Sequence, residues 1–148
     1  MVKINKKVEY ALIVLKHLST NVDETLVTAR IICDKYSTPF DTTSRVMQLM
    51  NSVGVLDSSQ GKKGGYKLNK DLGNISYLEL VELIEGRKFS QDCKEAKCAL
   101  IESCNITGPV KKLNDYLAHF FRGLSIKELL SDNKFPEALL MNIEGNNE

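Results

Sequence analysis

The chain has 148 residues, 43% hydrophobic and 26% charged, the composition of one ordinary globular domain or of a domain with an appendage. At that length a single core forms without a metal or disulfide to hold it. The formal net charge of +1 excludes a wholesale polycation such as a basic nucleic-acid tail.

The sum hides an asymmetry. Residues 1–70 carry 11 Lys and Arg against 6 Asp and Glu, a net of +5, whereas residues 71–148 carry 9 against 13, a net of −4. A basic half suits an anionic partner. Lys3, Lys6 and Lys7 ahead of an apolar run mimic a signal peptide, but Glu9, Lys16 and His17 interrupt the run and no small-residue cleavage site follows. No stretch of 18 consecutive apolar residues occurs, so no membrane span is expected and the protein reads as cytoplasmic. In that reducing compartment the four cysteines are not expected to be a disulfide framework.

Over residues 4–19, Val8, Ala11, Leu12, Leu15 and Leu18 recur with helical spacing and predict a first helix. Thr28 is placed to cap a second, with Ala29, Ile32, Cys33 and Tyr36 on one face. Ser37-Thr38-Pro39 ends it, because proline disfavours helical backbone in the residue before it. A third helix is expected from about Asp41 to Val53, with Val46, Leu49, Met50 and Val53 inward and Gly54 as its stop. Val55–Ser59, a Gly-Lys-rich stretch over 60–65 and Tyr66–Leu68 read as a hairpin whose glycines take positive φ. Ile75 to Glu85 is a fourth helix, apolar at Leu78, Val81 and Ile84. Residues 86–108 lose periodicity and hold three cysteines.

Pro109 suits the first turn of a fifth helix with Val110, Leu113, Leu117, Phe120, Phe121 and Leu124 on one side, followed by a short amphipathic piece, Ser125–Leu130. The expected fold class is therefore mainly α with a small β-hairpin. Residues 1–86 form a winged helix-turn-helix, 87–108 a cysteine-bearing loop, 109–131 a long helix and a short one, and 132–148 a frayed tail.

In a winged helix-turn-helix the third helix enters the major groove and the hairpin touches the backbone beside it. Turning the apolar stripe inward leaves Asp41, Ser44, Arg45, Gln48 and Asn51 outward, with Thr43 among the DNA-contact candidates and no large apolar residue on that face. Lys62, Lys63 and Lys67 on the wing would neutralise phosphates, and Lys3, Lys6 and Lys7 would add backbone contacts. Either feature alone reads as a solvated face or an ordinary turn; together, on the basic half, they point to double-stranded DNA. A phosphate-binding P-loop at Gly61-Lys62 fails, since Leu56 stands where glycine is needed and Lys63 where Ser or Thr is needed.

Cys33 reads as a small buried hydrophobe. Cys93, Cys98 and Cys104 are spaced C-x4-C-x5-C in a polar loop, without the close C-x-x-C pairs of a zinc ribbon. Three such thiolates hold an iron–sulfur cluster if one more ligand is supplied, and Lys94 and Lys97 favour thiolate over thiol. Bystander cysteines, and zinc held by three cysteines and a carboxylate, are the alternatives.

Glu9-Tyr10-Ala11, Gly54-Val55-Leu56 running into Gln60-Gly61-Lys62-Lys63-Gly64-Gly65-Tyr66-Lys67-Leu68, the three-cysteine loop and Leu124-Ser125-Ile126-Lys127-Glu128-Leu129 together resemble the IscR/NsrR/RirA family of bacterial winged-helix regulators, over residues 1 to about 131. The resemblance implies a homodimer joined through the fifth helix, a cluster loop at each end of that helix, and a pseudo-palindromic operator. It also implies an iron–sulfur cluster, [4Fe-4S] favoured over [2Fe-2S], sensing nitric oxide, redox state or iron–sulfur status, in a protein expected to act as a repressor. The IscR-type histidine three residues past the last cysteine is Thr107 here, and the histidine used by other members would fall at Ile13. The NsrR-type scheme, in which a first-helix carboxylate of the partner subunit completes the site, points instead to Glu9; His17 and His119 read as structural or surface residues. The rivals are a cluster-free regulator using thiols or a small-molecule effector and a zinc-stabilised interaction module. An enzyme with a loop-cysteine nucleophile finds no support, as no histidine lies near the loop and no nucleotide-binding motif appears.

Overall fold

A computed structural model describes residues 4–21, 26–89 and 98–133. Its elements follow in the order α1 (Lys6–Thr20), α2 (Ala29–Tyr36), α3 (Phe40–Ser52), β1 (Leu56–Ser59), β2 (Gly65–Leu68), a 3-10 turn (Leu72–Asn74), α4 (Tyr77–Glu85), α5 (Thr107–Gly123) and α6 (Ile126–Leu130). This is the expected mainly α class with one hairpin.

α1 starts at Asn5, whose side-chain oxygen accepts from the Lys7 amide, and it buries Val8, Ala11, Val14, Leu15, His17 and Leu18. Leu12, expected on that stripe, is only half-buried, because the buried arc is centred one position further round and takes in Val14. The helix packs against α2, α3 and α4, so its buried side chains form the middle of the head. Thr28 caps α2 through the Ile31 amide, as expected, and Ser37 ends it in the left-handed conformation. Tyr36 does not turn inward. Its ring remains partly exposed while its hydroxyl lies 2.9 Å from Nδ1 of buried His17, which ties α2 to α1 by its polar tip.

The third helix differs most from expectation. It begins at Phe40, one residue early, and buries Thr43, Val46, Met47 and Met50. Leu49 is half-buried and Val53 is 44% exposed, so the inward face is rotated by about one position from the expected stripe. Apolar spacing misled here because 46, 49, 50, 53 and 43, 46, 47, 50 both satisfy helical periodicity, and threonine does not register as a core residue. Gly54 follows as the stop, at φ 73.

β1 and β2 pair antiparallel with Leu56 opposite Leu68 and Asp57 opposite Lys67. A third backbone segment joins them, since Val27 and Tyr66 exchange hydrogen bonds of 2.9 and 2.8 Å. That junction explains a glycine: a Cβ on Gly65 would lie 3.0 Å from the Val27 carbonyl oxygen. The positive φ that the turn was expected to need occurs at Gly61, at φ 110.

Ser76 opens α4 with a reciprocal capping box to Glu79, and Ser125 opens α6 in the same way with Glu128. The two starts are stitched together: the Tyr77 amide donates to the Leu124 carbonyl at 2.7 Å and the Ile126 amide to the Ile75 carbonyl at 2.8 Å. Lys16 of α1 reaches the Leu130 carbonyl at 2.6 Å, closing the end of α6. α5 begins at Thr107, so Pro109 does sit in its first turn. Ala118 is its one fully buried side chain; Phe121 docks edge-on against Tyr77 and Phe89 at 5.0 and 5.2 Å, while Leu113 and Tyr116 are 57% and 48% exposed.

Candidate nucleic-acid interface and cysteine loop

α3 presents an exposed polar face because its other side is committed to the core. Asp41, Arg45 and Gln48 are exposed and Ser44 and Asn51 half-exposed, so five of the residues expected to face DNA do face outward. Thr43 does not. It is wholly buried and its hydroxyl donates to Thr38 Oγ1 at 2.9 Å, which in turn lies 3.6 Å from Cys33 Sγ. This buried chain joins the end of α2, the turn and the start of α3. Thr43 is thus committed to the core and is withdrawn from the DNA-contact set. Cys33 is buried as expected.

One residue on this face escaped the sequence. Phe40, the first residue of α3, is 44% exposed, and the Arg30 guanidinium lies 4.7 Å from its ring centroid. The expectation of no outward large apolar residue is corrected: a start at about Asp41 leaves Phe40 out of the helix, whereas α3 begins on it. Its signal was Pro39 immediately before it, a residue that ends one segment and allows the next to begin.

The wing carries Lys62 and Lys63 exposed at its tip. Lys67 is different, because its ammonium lies 3.6 Å from Asp57 on the neighbouring strand, so part of its charge is answered within the hairpin. Lys7 is exposed at the start of α1. Lys6 forms an ion pair with Glu9 one turn on, whose hydrogen bond and charge hold the Lys6 ammonium above its ordinary pKa. Lys3 lies outside the described residues.

Of the loop cysteines, Cys98 is exposed, Cys104 is half-buried and both are free thiols. Cys93, with Lys94 and Lys97, lies outside the described residues. The Cys104 thiol is held below the usual thiol range by hydrogen bonding to the Thr107 side chain and to the Ile106 backbone, with burial opposing weakly. Thr107 thus lacks imidazole yet still acts on Cys104, and it also donates to the Cys104 carbonyl at 3.4 Å. A free thiol with a lowered pKa just before α5 fits a soft-metal or cluster ligand, and equally a redox-responsive thiol. Among the described residues no three His, Cys, Asp or Glu side chains converge as a metal site, and no helix is long and apolar enough to cross a membrane. Glu9, the candidate partner-subunit ligand, is half-buried on α1 and engaged by Lys6.

Comparison with known proteins adds independent findings. The family model Rrf2, described as an iron-dependent transcriptional regulator, matches residues 4–132. A "Putative HTH-type transcriptional regulator" of Aquifex aeolicus is 29% identical over 133 residues, covering 84% of this chain and 88% of that protein. The HTH-type transcriptional regulator NsrR of Shouchella clausii is 23% identical over 138 residues, covering 89% of this chain and 91% of the relative. Among solved structures, CymR (YrzC), described as the global cysteine regulator of B. subtilis, superposes with a TM-score of 0.70 at 17% identity, covering 90% of this chain and 100% of the other.

Proposed function

This chain belongs to the Rrf2 family of transcriptional regulators, and from that premise we propose that an iron–sulfur cluster gates its hold on a pseudo-palindromic operator. It is a winged-helix regulator and not an enzyme, and regulators of this family bind DNA. In the proposed reading Asp41, Ser44, Arg45 and Gln48 of α3 address base edges, while Lys62, Lys63, Lys7, Lys3 and Lys6 engage phosphates, with Lys67 in a lesser role. In the same reading residues 1–86 are the reading head, 87–108 the sensor loop and 109–131 the dimerisation segment of a cytoplasmic repressor; most of 132–148 lies outside the described residues. Homodimerisation through α5 is supported by the exposed apolar side chains Leu113 and Tyr116 along it.

Cys93, Cys98 and Cys104 would hold the cluster, with Glu9 of the partner subunit as the fourth ligand. Bound there, a cluster supplies a centre that nitric oxide, oxidants or iron limitation can alter or remove. Cys104 carries this reading: it is a half-buried free thiol three residues before α5 begins, and hydrogen bonding from the Thr107 side chain lowers its pKa. Residues 98–106 run directly into α5, so a cluster held by them would fix the start of α5 and with it the spacing of two reading heads. That is a population shift between dimer geometries, and it requires the cluster to favour one of them. Anaerobic reconstitution followed by iron and sulfide analysis tests it. Iron and sulfide in matching amounts, lost in Cys98→Ala, are expected; uptake of zinc alone, or of nothing, overturns it.

A second reading, thiol sensing without a cluster, is favoured by the same lowered thiol and by the fold likeness to CymR structures, one of them an oxidised form from Staphylococcus aureus. It predicts that peroxide or a disulfide changes DNA affinity in iron-free protein, and that this response is lost in Cys104→Ser.

A further inference from the structure

The polar face of α3 begins on an aromatic ring. Phe40, Ser44 and Gln48 are spaced i, i+4, i+8 and so form one ridge along the helix, with the ring at its N-terminal end. In helix-turn-helix proteins the N-terminal residues of the recognition helix are the ones that reach base edges. The pyrimidine methyl of thymine is the one apolar group displayed on the major-groove floor, and phenylalanine is among the side chains that contact it.

Arg30 stands beside this ring from the neighbouring helix. It is the second residue of α2, exposed, and its guanidinium carbon lies 4.7 Å from the Phe40 centroid. A guanidinium held over a ring face keeps N–H groups available for an anion. Among the described residues no carboxylate forms an ion pair with it. The α2 and α3 starts thus present an apolar reader and an oriented cation side by side.

We propose that Phe40 reads a thymine methyl in the operator and that Arg30, aligned by the ring, grips the phosphate beside that thymine. The pair adds shape recognition to the hydrogen-bonding residues further along the ridge. It also gives the start of α3 a fixed register on the duplex. The proposal rests on the DNA-binding reading above, and the experiment separates the two.

The full-length protein is used to select duplexes from a random pool, in reconstituted and iron-free forms. The selected duplex is then resynthesised with deoxyuridine replacing each thymine in turn, which removes one methyl at a time. Wild-type affinity should fall about fourfold at one thymine per half-site, the scale of one buried carbon group. Phe40→Ala should be indifferent to uracil at that position alone and unchanged at every other, while Phe40→Leu keeps the sensitivity. Arg30→Ala should flatten the salt dependence by about one phosphate contact per protomer. A wild-type profile insensitive to uracil at every position overturns the proposal without any variant, as does a Phe40→Ala profile matching the wild type. If the wild type enriches no duplex, the DNA-binding reading fails and takes this proposal with it.

Discussion

The winged head and the segment that follows it are built on opposite plans. In the head, α1, α3 and α4 each bury four or more side chains, and the wing is tied back to the segment before α2 by the Val27–Tyr66 bridge. α5 is the longest helix among the described residues, yet Ala118 is its one fully buried side chain and Leu113 and Tyr116 stand in solvent. Phe120 and Phe121 pack on the core, while Leu113 and Tyr116 leave apolar surface that the same chain does not cover. The head packs around a core within one chain, whereas α5 leaves part of its apolar side open; in the proposed dimer a second copy covers that side. In the proposed reading that division lets a signal rearrange the less committed half without unfolding the head.

The sharpest break in the comparison is a deletion at the centre of the head. Leu15→Ala removes a wholly buried side chain and should cost about 2–5 kcal/mol in urea denaturation. A loss below about 0.5 kcal/mol would mean that α1 is not the middle of the core. Leu113→Glu attacks the other half. It should convert a dimer into a monomer in light scattering and lower operator affinity about 100-fold through loss of the second half-site. The head's far-ultraviolet circular dichroism should stay unchanged. A dimer that persists in this variant would refute α5 as the joining surface.

A smaller effect separates positioning from reading inside the head. Thr43→Val keeps the shape and removes the hydroxyl donated to Thr38, costing about 0.5–1.5 kcal/mol. Its preferred operator sequence should be the same as the wild type's, with affinity lowered evenly across duplexes. A changed base preference at one position would return Thr43 to the contact set. Gln48→Ala, on the exposed ridge, should do the reverse and relax one base position at little cost in stability.

Much of this organisation was legible in the sequence because it rests on strong local signals. Thr28 before an apolar face, Gly54 after one, the Gly-Lys-rich turn and Pro109 each fix a boundary through backbone chemistry, and the structure places each of them in that role. What escaped was set by rotation and by contact at a distance. The α3 face slipped by one position because Thr43 gains its place in the core from a hydroxyl partner on the preceding turn, which no hydropathy pattern carries. Phe40 was hidden by a helix boundary one residue off, and the Arg30 contact that marks it comes from another helix. The Val27 bridge to the wing was invisible for the same reason. Lys67 looked like its neighbours until the hairpin register set Asp57 opposite it. In the loop, spacing identified the cysteines, but the group acting on Cys104 is Thr107, a residue singled out beforehand for the histidine it lacks.

The smallest effect concerns the seam where the two regions meet. Ser125 Oγ donates to Glu128 Oε2 at 2.7 Å and the Ser125 amide donates to the same oxygen at 3.1 Å, so the start of α6 is closed by one reciprocal cap. Those two hydrogen bonds hold the Glu128 carboxyl below the usual carboxylate range. A depressed folded-state pKa means the contribution is present above the unfolded-state value and is lost as pH falls through the folded one. Ser125→Ala should therefore cost about 0.5–1 kcal/mol at neutral pH, and the gap between variant and wild type should narrow on acidification, as the carboxylate that favours the hydroxyl is protonated. Urea titrations of both proteins at pH 7 and pH 3 measure this directly. A gap of the same size at both pH values would show that the serine acts through the Glu128 amide alone. The cap would then lend the seam no sensitivity to acid, and the two regions would be joined by the Tyr77–Leu124 and Ile126–Ile75 backbone bonds without a titrating clasp.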